Sequence, residues 1–316
     1  MAISVITPGF LTTIQDLGRF HHAHLGISPS GAADPVSLRL GNLLVSNPPD
    51  TAALEMTLVG GAFRFESPVR IALAGSDFGA SIDNHALPPW QAFLVKAGQL
   101  LQCGQTKSGA RCYLCVEGGI SVPRVLSSSS TQLITGMGGA DGRALRAGDH
   151  LSLGGRTGDP HRPLWRVKKQ VLDSLFSDRP VGITRGPQRD FFDDDALTDL
   201  CASLYVVKEA SNRMGLRLSG PKLERSTHED MITEGASLGA IQVPPDGEPI
   251  ILFVEHPTTG GYPKIANVVT ADIHRVGQLR PRDEVRFELI PLSEAIHRLA
   301  EQEALLVNQR CLEPTS

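Results

Sequence analysis

The sequence predicts a mainly β protein, a β-rich α+β chain that divides into two β-barrel-like domains with a cleft between them. Three observations predict it. The 32 glycines and 22 prolines interrupt the chain too often for long helices and mark turns between many short strands. Apolar residues fall in short runs or alternate with polar ones, as strands require. Short patterns also return in the same order about 180 residues later, as an internal repeat demands.

The first helix is expected at Asp34-Pro35, an N-cap followed by proline at the first helical position. Val36, Leu40, Leu43 and Leu44 share one face, and Asn47-Pro48-Pro49 stops the helix. Strands are expected at Phe63-Arg64-Phe65, Arg70-Ile71-Ala72-Leu73 and Tyr113-Leu114-Cys115-Val116. The polar, basic stretch from Gly154 to Arg179 reads as a linker with a short helix. A second helix is expected from Asp195-Ala196-Leu197 to Leu204. Ile250 to Val254 and Ile265 to Val269 read as buried strands, and Val285 to Leu289 as a further one. Near the C-terminus, Ser293 is placed to cap a helix with the stripe Ile296, Leu299, Ala300 and Leu306. The repeat pairs Leu38-Arg39-Leu40 with Leu216-Arg217-Leu218, and Glu55 with Glu234. It also pairs Gly61 to Phe65 with Gly239 to Val243, and Pro68 to Leu73 with Pro249 to Val254. The resulting division is a first barrel over 1–155, a linker over 156–179, a second barrel over 180–290 and a helix over 291–316.

Charge excludes some partners. Against 34 Asp and Glu stand 30 Lys and Arg, a formal net charge of −4, so the basic excess of a nucleic-acid binder is missing. The start, Met1-Ala2-Ile3-Ser4-Val5-Ile6, has neither the basic nor the long apolar region of a signal peptide. No apolar run approaches the roughly 18 residues of a membrane span. Five cysteines suit reduced thiols better than a disulfide framework, so a cytoplasmic protein is expected.

The stretch richest in chemistry is Thr258-Thr259-Gly260-Gly261-Tyr262-Pro263-Lys264, between two apolar runs. A strand ending in Glu255-His256-Pro257 and then this loop stops against open space. The glycines are expected to turn with positive φ and come close to a ligand. The threonines supply hydroxyls, Tyr262 an amphipathic ring and Lys264 an exposed positive charge. Ser211-Asn212-Arg213-Met214-Gly215 sets a guanidinium beside a short amide, apt for a carboxylate or phosphate. Thr12 to Arg19 puts Asp16 and Arg19 three residues apart, and Glu55 and Glu234 stand at matching places in the two halves. Other motifs carry less. Gly136 to Arg143 lacks dinucleotide spacing, and no Walker loop or Gly-x-Ser-x-Gly elbow occurs. Cys112 and Cys115 have no second pair for zinc, and His22 and His24 have no further ligand at useful spacing.

Together these residues resemble one family. Pro8-Gly9, Thr12-Thr13-Ile14-Gln15-Asp16 with Gly18-Arg19, Ser30-Gly31-Ala32-Ala33-Asp34, Gly186-Pro187-Gln188, Ser211 to Gly215 and Thr259 to Ala266 are similar to the second subunit of allophanate-hydrolase-type proteins. That is the biotin-dependent carboxyltransferase family, which includes the C subunit of bacterial 5-oxoprolinase. The resemblance runs from about residue 3 to about residue 290 in the family's order. It implies tandem cyclophilin-like β-barrels. It also implies a partner, the cyclophilin-fold B subunit, and for 5-oxoprolinase a further one, the A subunit. Where the family often has Gly-Ser-Arg-Ser-Thr-Asp, this chain has Ser127-Ser128-Ser129-Ser130-Thr131-Gln132, and the family's Asp before Thr-Gly-Gly is Glu255. His256-Pro257 is similar to the urea carboxylase branch, whereas Lys264-Ile265-Ala266 fits the stand-alone 5-oxoprolinase branch.

The function this implies is that of the C subunit in an ATP-dependent 5-oxoprolinase, which opens 5-oxo-L-proline to L-glutamate. Without the A and B subunits the chain is expected to be inactive. ATP is the expected co-substrate of the assembled enzyme, and no biotinylated lysine segment is recognised. In this reading Lys264, with Glu55 or Glu255, is catalytic. Asn212, Arg213, Gln242, Thr258, Thr259, Gly260, Gly261 and Tyr262 bind substrate. Two alternatives share the fold: a carboxyltransferase for urea or another amide, and a non-enzymatic regulator that binds a kinase inhibitor similar to the B subunit.

Overall fold

The first strand, Ala2–Thr7, buries Ile3 and Val5 and turns the residues between them outward, the period of a half-buried strand. It belongs to the first of two units into which the computed structural model divides, residues 1–19, 30–176 and 304–316; residues 20–29 and 177–303 form the second. The structure describes residues 1–155, 162–193, 195–226, 231–307 and 309–315.

The first unit is built on two antiparallel sheets. One has six strands in the order His150–Ser152, Ala2–Thr7, Ala62–Phe65, Leu100–Gln102, Ser81–Ile82 and His85–Ala86. The other has five, in the order Leu11–Gln15, Ala53–Thr57, Arg111–Val116, Val69–Gly75 and Ala92–Val95. Ile3, Phe63, Phe65 and Leu101 from the first sheet meet Ile14, Leu54, Ile71 and Leu114 from the second in one core. Strands Val69–Gly75 and Arg111–Val116 are buried along their whole length, because helix Pro35–Leu44 covers their other face. That helix starts as the sequence predicts. Asp34 Oδ1 accepts the Ser37 amide at 2.8 Å, and Pro35 needs no donor there. It approaches closely at Gly41, where a Cβ would come within 2.6 Å of Cys115 Sγ.

Residues 162–176 of the expected linker are ordered structure of this unit. Strand Trp165–Val167 and helix Lys169–Leu175 place Val167, Val171 and Leu175 in a core with Val36, Leu40 and Tyr113. Leu312–Pro314 pairs antiparallel with Trp165–Val167, so residues 304–316 return to the first unit instead of ending as a separate helix. Residues 156–161 lie outside the described residues.

The second unit is an almost closed barrel. Its sheet runs Glu284–Val285, Tyr205–Val207, Gly215–Ser219, Ile250–Leu252, Ala240–Gln242, Lys264–Val268, Val181–Arg185 and Phe287–Leu289. Only Arg286 separates the strands at its two edges, so one extended segment joins both ends and removes the open edge. Ile183, Leu216, Leu218, Ile241, Ile251, Ile265 and Phe287 are all buried. The expected second helix is Ala196–Ala202, following Asp195, whose side chain makes no capping bond. The last helix is Leu292–Val307, so Ser293 lies inside its first turn and not at its cap.

The mainly β class agrees with the sequence, but two of the repeat pairings are not matched in element type or in sheet order. Leu38 and Leu40 lie on a helix and Leu216 and Leu218 on a strand. Helix Pro35–Leu44 has Val36, Leu38, Leu40 and Leu44 all buried, so alternating leucines there carry no strand signal. Strands Ala62–Phe65 and Val69–Gly75 lie in different sheets, whereas Ala240–Gln242 and Ile250–Leu252 are hydrogen-bonded neighbours.

Among the described residues no helix is long and apolar enough to cross a membrane, and no group of three His, Cys, Asp or Glu is placed to hold a metal. Cys112 and Cys115 are buried free thiols whose pKa values burial pushes up.

Candidate functional site

The site begins where strand Gly215–Ser219 turns. Asn212 closes the turn from both ends: its amide donates to Gly215 O at 3.1 Å, and its Oδ1 accepts the Met214 amide at 2.8 Å. The side-chain oxygen of Asn212 is therefore engaged by the backbone. Arg213 points inward and is 6% exposed. Across the ladder, the Glu255 amide donates to Arg213 O at 2.8 Å, and Arg213 Nε meets Glu255 Oε1 at 2.6 Å. Glu255 is 3% exposed, so this is a buried ion pair, in which each charge compensates the desolvation of the other.

His256 follows in the turn and is also buried. Its Nδ1 lies 2.8 Å from Pro257 O, which can only accept, so Nδ1 carries the proton. Burial pushes its pKa below the usual value, opposed by that hydrogen bond. The chain then runs through Thr258 into a two-stranded ladder of Thr259–Gly260 with Glu234–Gly235. Gly260 and Gly261 do not adopt the positive φ expected of them. Gly260 lies in that ladder, and a Cβ there would come within 2.6 Å of Gln242 Nε2. Gln242 is buried and donates from Nε2 to Tyr262 O at 3.4 Å. Thr259, Gly261 and Tyr262 are exposed.

Lys264 differs most from expectation. It opens strand Lys264–Val268 inside the eight-stranded sheet and is 4% exposed, where the sequence predicts an exposed charge. The neighbouring strand Ala240–Gln242 sets Gln242 opposite it, and the loop after strand Val181–Arg185 covers it. Gly186 permits that cover, since a Cβ there would lie 2.1 Å from Lys264 O. Lys264 Nζ sits 3.5 Å from Glu234 Oε2. The same oxygen accepts from Gln188 Nε2 at 2.7 Å, and Gln188 Oε1 accepts the Lys264 amide at 3.2 Å. In the sequence Gln188 is visible only within its Gly-Pro-Gln motif, and Glu234 only as a repeat mate of Glu55. Neither stands out there as a site residue, because their meeting depends on three separate segments.

Glu55 belongs to the first unit, apart from these residues in the division of the chain. On strand Ala53–Thr57 it is 1% exposed. Its Oε2 accepts the Tyr113 hydroxyl at 2.6 Å and the Ala33 amide at 2.9 Å, and Arg111 Nε is 3.8 Å from Oε1. Those bonds anchor the segment that leads into helix Pro35–Leu44. Asp16 is held in the same way. It accepts from Gly18 N at 2.8 Å, Ser128 Oγ at 2.7 Å, Ser129 N at 2.6 Å and Ser130 Oγ at 2.5 Å. The serine run thus cages a carboxylate, and Arg19 donates to Ser130 O.

The second unit supplies two buried cations, Arg213 and Lys264, each beside a carboxylate, and an exposed loop through Thr259, Gly261 and Tyr262. Fixed cations in a buried setting stabilise developing negative charge more strongly than cations in water.

Comparison with known proteins identifies the family. The family described as "Carboxyltransferase domain, subdomain A and B" matches residues 25–289. The chain is 36% identical to the C subunit of 5-oxoprolinase from Escherichia coli over 301 residues, covering 95% of each protein. It is 34% identical to urea amidolyase of Saccharomyces cerevisiae, but spans only 17% of that protein's length. Among solved structures, urea carboxylase of Kluyveromyces lactis superposes on the whole chain with a TM-score of 0.90 at 30% identity, over 30% of its own length.

Proposed function

The chain belongs to the carboxyltransferase domain family with subdomains A and B, and we propose that it serves there as the C subunit of an ATP-dependent 5-oxoprolinase. One observation carries the choice: the similarity to the C subunit of Escherichia coli 5-oxoprolinase extends over 95% of both proteins, with little left over on either side. The reaction opens the lactam of 5-oxo-L-proline to L-glutamate. A lactam carbonyl is unactivated, so coupling to ATP is chemically reasonable, and a phosphorylated lactam oxygen leaves its carbon open to water. Lys264 stabilises the negative charge of the phosphoryl group carried on that oxygen. Arg213, already balanced by Glu255, holds the floor of the site and presents its cation to an anionic substrate group. The exposed Thr259 and Tyr262 contact the substrate from the loop. The A and B subunits are the proposed partners.

The experiment is an assay of the co-purified subunits for 5-oxoproline-dependent ATP hydrolysis. Lys264→Met, which keeps the buried stem, should cut kcat at least tenfold, about 1.4 kcal/mol of transition-state stabilisation. A complex that hydrolyses ATP equally with and without 5-oxoproline sinks the assignment. The rival is carboxyl transfer to urea or a similar amide, favoured by the full-length superposition on urea carboxylase. Capture of a biotinylated carrier protein, with urea-dependent ATP turnover, would decide for it.

A further inference from the structure

We infer that Glu234, oriented by Gln188 and paired with Lys264, is the carboxylate that takes the proton of the attacking water. The inference rests on the ring-opening reading above. Glu55 and Glu255, the two carboxylates that the sequence nominates, are both buried. Glu55 is tied to Tyr113 and Ala33, and Glu255 to Arg213. Glu234 is different. Its Oε2 receives Gln188 Nε2 at 2.7 Å and lies 3.5 Å from Lys264 Nζ. Its Oε1 has no partner among the described residues, and its side chain is 52% exposed. One oxygen is held and the other is open to solvent, as a proton acceptor requires.

Gln188 makes this orientation specific. Its amide can be placed only one way: the backbone N–H of Lys264 must meet the carbonyl oxygen, and the carboxylate must meet the NH2 group. One buried amide therefore fixes both the backbone of Lys264 and the carboxylate beside its ammonium. An acceptor oriented by a third group is the logic of catalytic triads in general. In the addition step one O–H bond of water breaks and its proton passes to Glu234 Oε1. A C–O bond forms at the ring carbon of the phosphorylated lactam, and the C=N π pair moves onto the ring nitrogen while the phosphoryl oxygens lie beside the Lys264 ammonium. The proton on Glu234 passes to that nitrogen. The new hydroxyl then forms a carbonyl as the C–N bond breaks, its proton and the C–N electron pair going to the nitrogen. A second water hydrolyses the remaining acyl phosphate to the carboxylate and inorganic phosphate. Gln188 touches no reacting atom and is a positioning residue.

The test uses the assembled complex with Glu234→Gln, Glu234→Ala, Gln188→Met and the double variant Gln188→Met/Glu234→Ala. Loss of the acceptor should lower kcat about a hundredfold, with added formate restoring Glu234→Ala at least about fivefold. Gln188→Met should lower kcat about tenfold, and the double variant should be no slower than Glu234→Ala, because the two residues act as one. Glu234→Ala with wild-type kcat, or without formate rescue, overturns the proposal, as does a double variant slowed by the product of both factors. A wild-type complex that never turns over 5-oxoproline counts instead against the ring-opening reading. The trio is then read in the full chain by acetic anhydride labelling followed by mass spectrometry, with the exposed Lys107 as internal standard. Lys264 should label at least about threefold faster in Glu234→Ala, where its ion-pair partner is gone, than in the wild-type chain. Unchanged labelling overturns the pairing.

Discussion

Arg213 and Glu255 meet at 2.6 Å with almost no exposure, and such a pair is worth most when one half is removed. Arg213→Ala should destabilise the second unit by about 3–5 kcal/mol, because Glu255 is left charged and buried. Arg213→Met/Glu255→Met should recover most of that stability. Urea unfolding of both variants checks this, and a double variant less stable than the single one contradicts it. His256 gives a pH-dependent counterpart. Burial holds its pKa below the unfolded value, so the native state binds fewer protons than the unfolded chain in that window. Stability at His256 is complete above the unfolded pKa, near 6.5, and falls as pH drops below it. Wild type should therefore lose more of its urea midpoint between pH 7 and pH 5 than His256→Gln does. Equal slopes would remove the argument.

At the scale of an element, helix Pro35–Leu44 shows how a local signal and a tertiary one combine. Asp34 accepts the Ser37 amide at 2.8 Å and is fully buried, so Asp34→Ala should cost about 0.5–2 kcal/mol by chemical denaturation. Asp34→Asn should recover part of it, since an amide oxygen still caps. The other anchor is not local. The Tyr113 hydroxyl accepts the Asp34 amide at 2.8 Å and donates to Glu55 at 2.6 Å. The cap was legible from Asp34-Pro35 alone, whereas the Tyr113–Glu55 support joins positions 58 residues apart.

Across the whole molecule, the first unit is completed by residues far apart in sequence. Leu306, Cys311 and Leu312 are buried in the same core as Val36, Leu40 and Val167. Deleting residues 304–316 should destabilise that unit by about 3 kcal/mol or more, taking about 1.5–3 kcal/mol for each fully buried leucine. Amide exchange should accelerate in Trp165–Val167, which loses its paired strand, and stay unchanged in Val181–Arg185 of the second unit. Uniform acceleration in both would show that the units do not unfold separately. Closure of the second barrel is also a property of the whole, since Glu284–Val285 and Phe287–Leu289 pair with strands at opposite ends of the sheet order.

The sequence by itself determined what depends on neighbours along the chain. The β class follows from short apolar runs between glycine and proline, and the first helix from its cap. The Thr258–Lys264 loop was likewise visible as polar residues between two buried strands. It also identified the family, because the order of several motifs survives even where single residues change. Only the tertiary structure decided how the chemistry is distributed. It buried Lys264, made Glu55 a support for a helix, turned the serine run into a cage for Asp16, and brought Gln188 and Glu234 together at Lys264. The physical reason is range. A cap or a turn is set within about four residues, but whether a charge is exposed or paired depends on which distant strand lies beside it, and that register exists only after the sheet has formed.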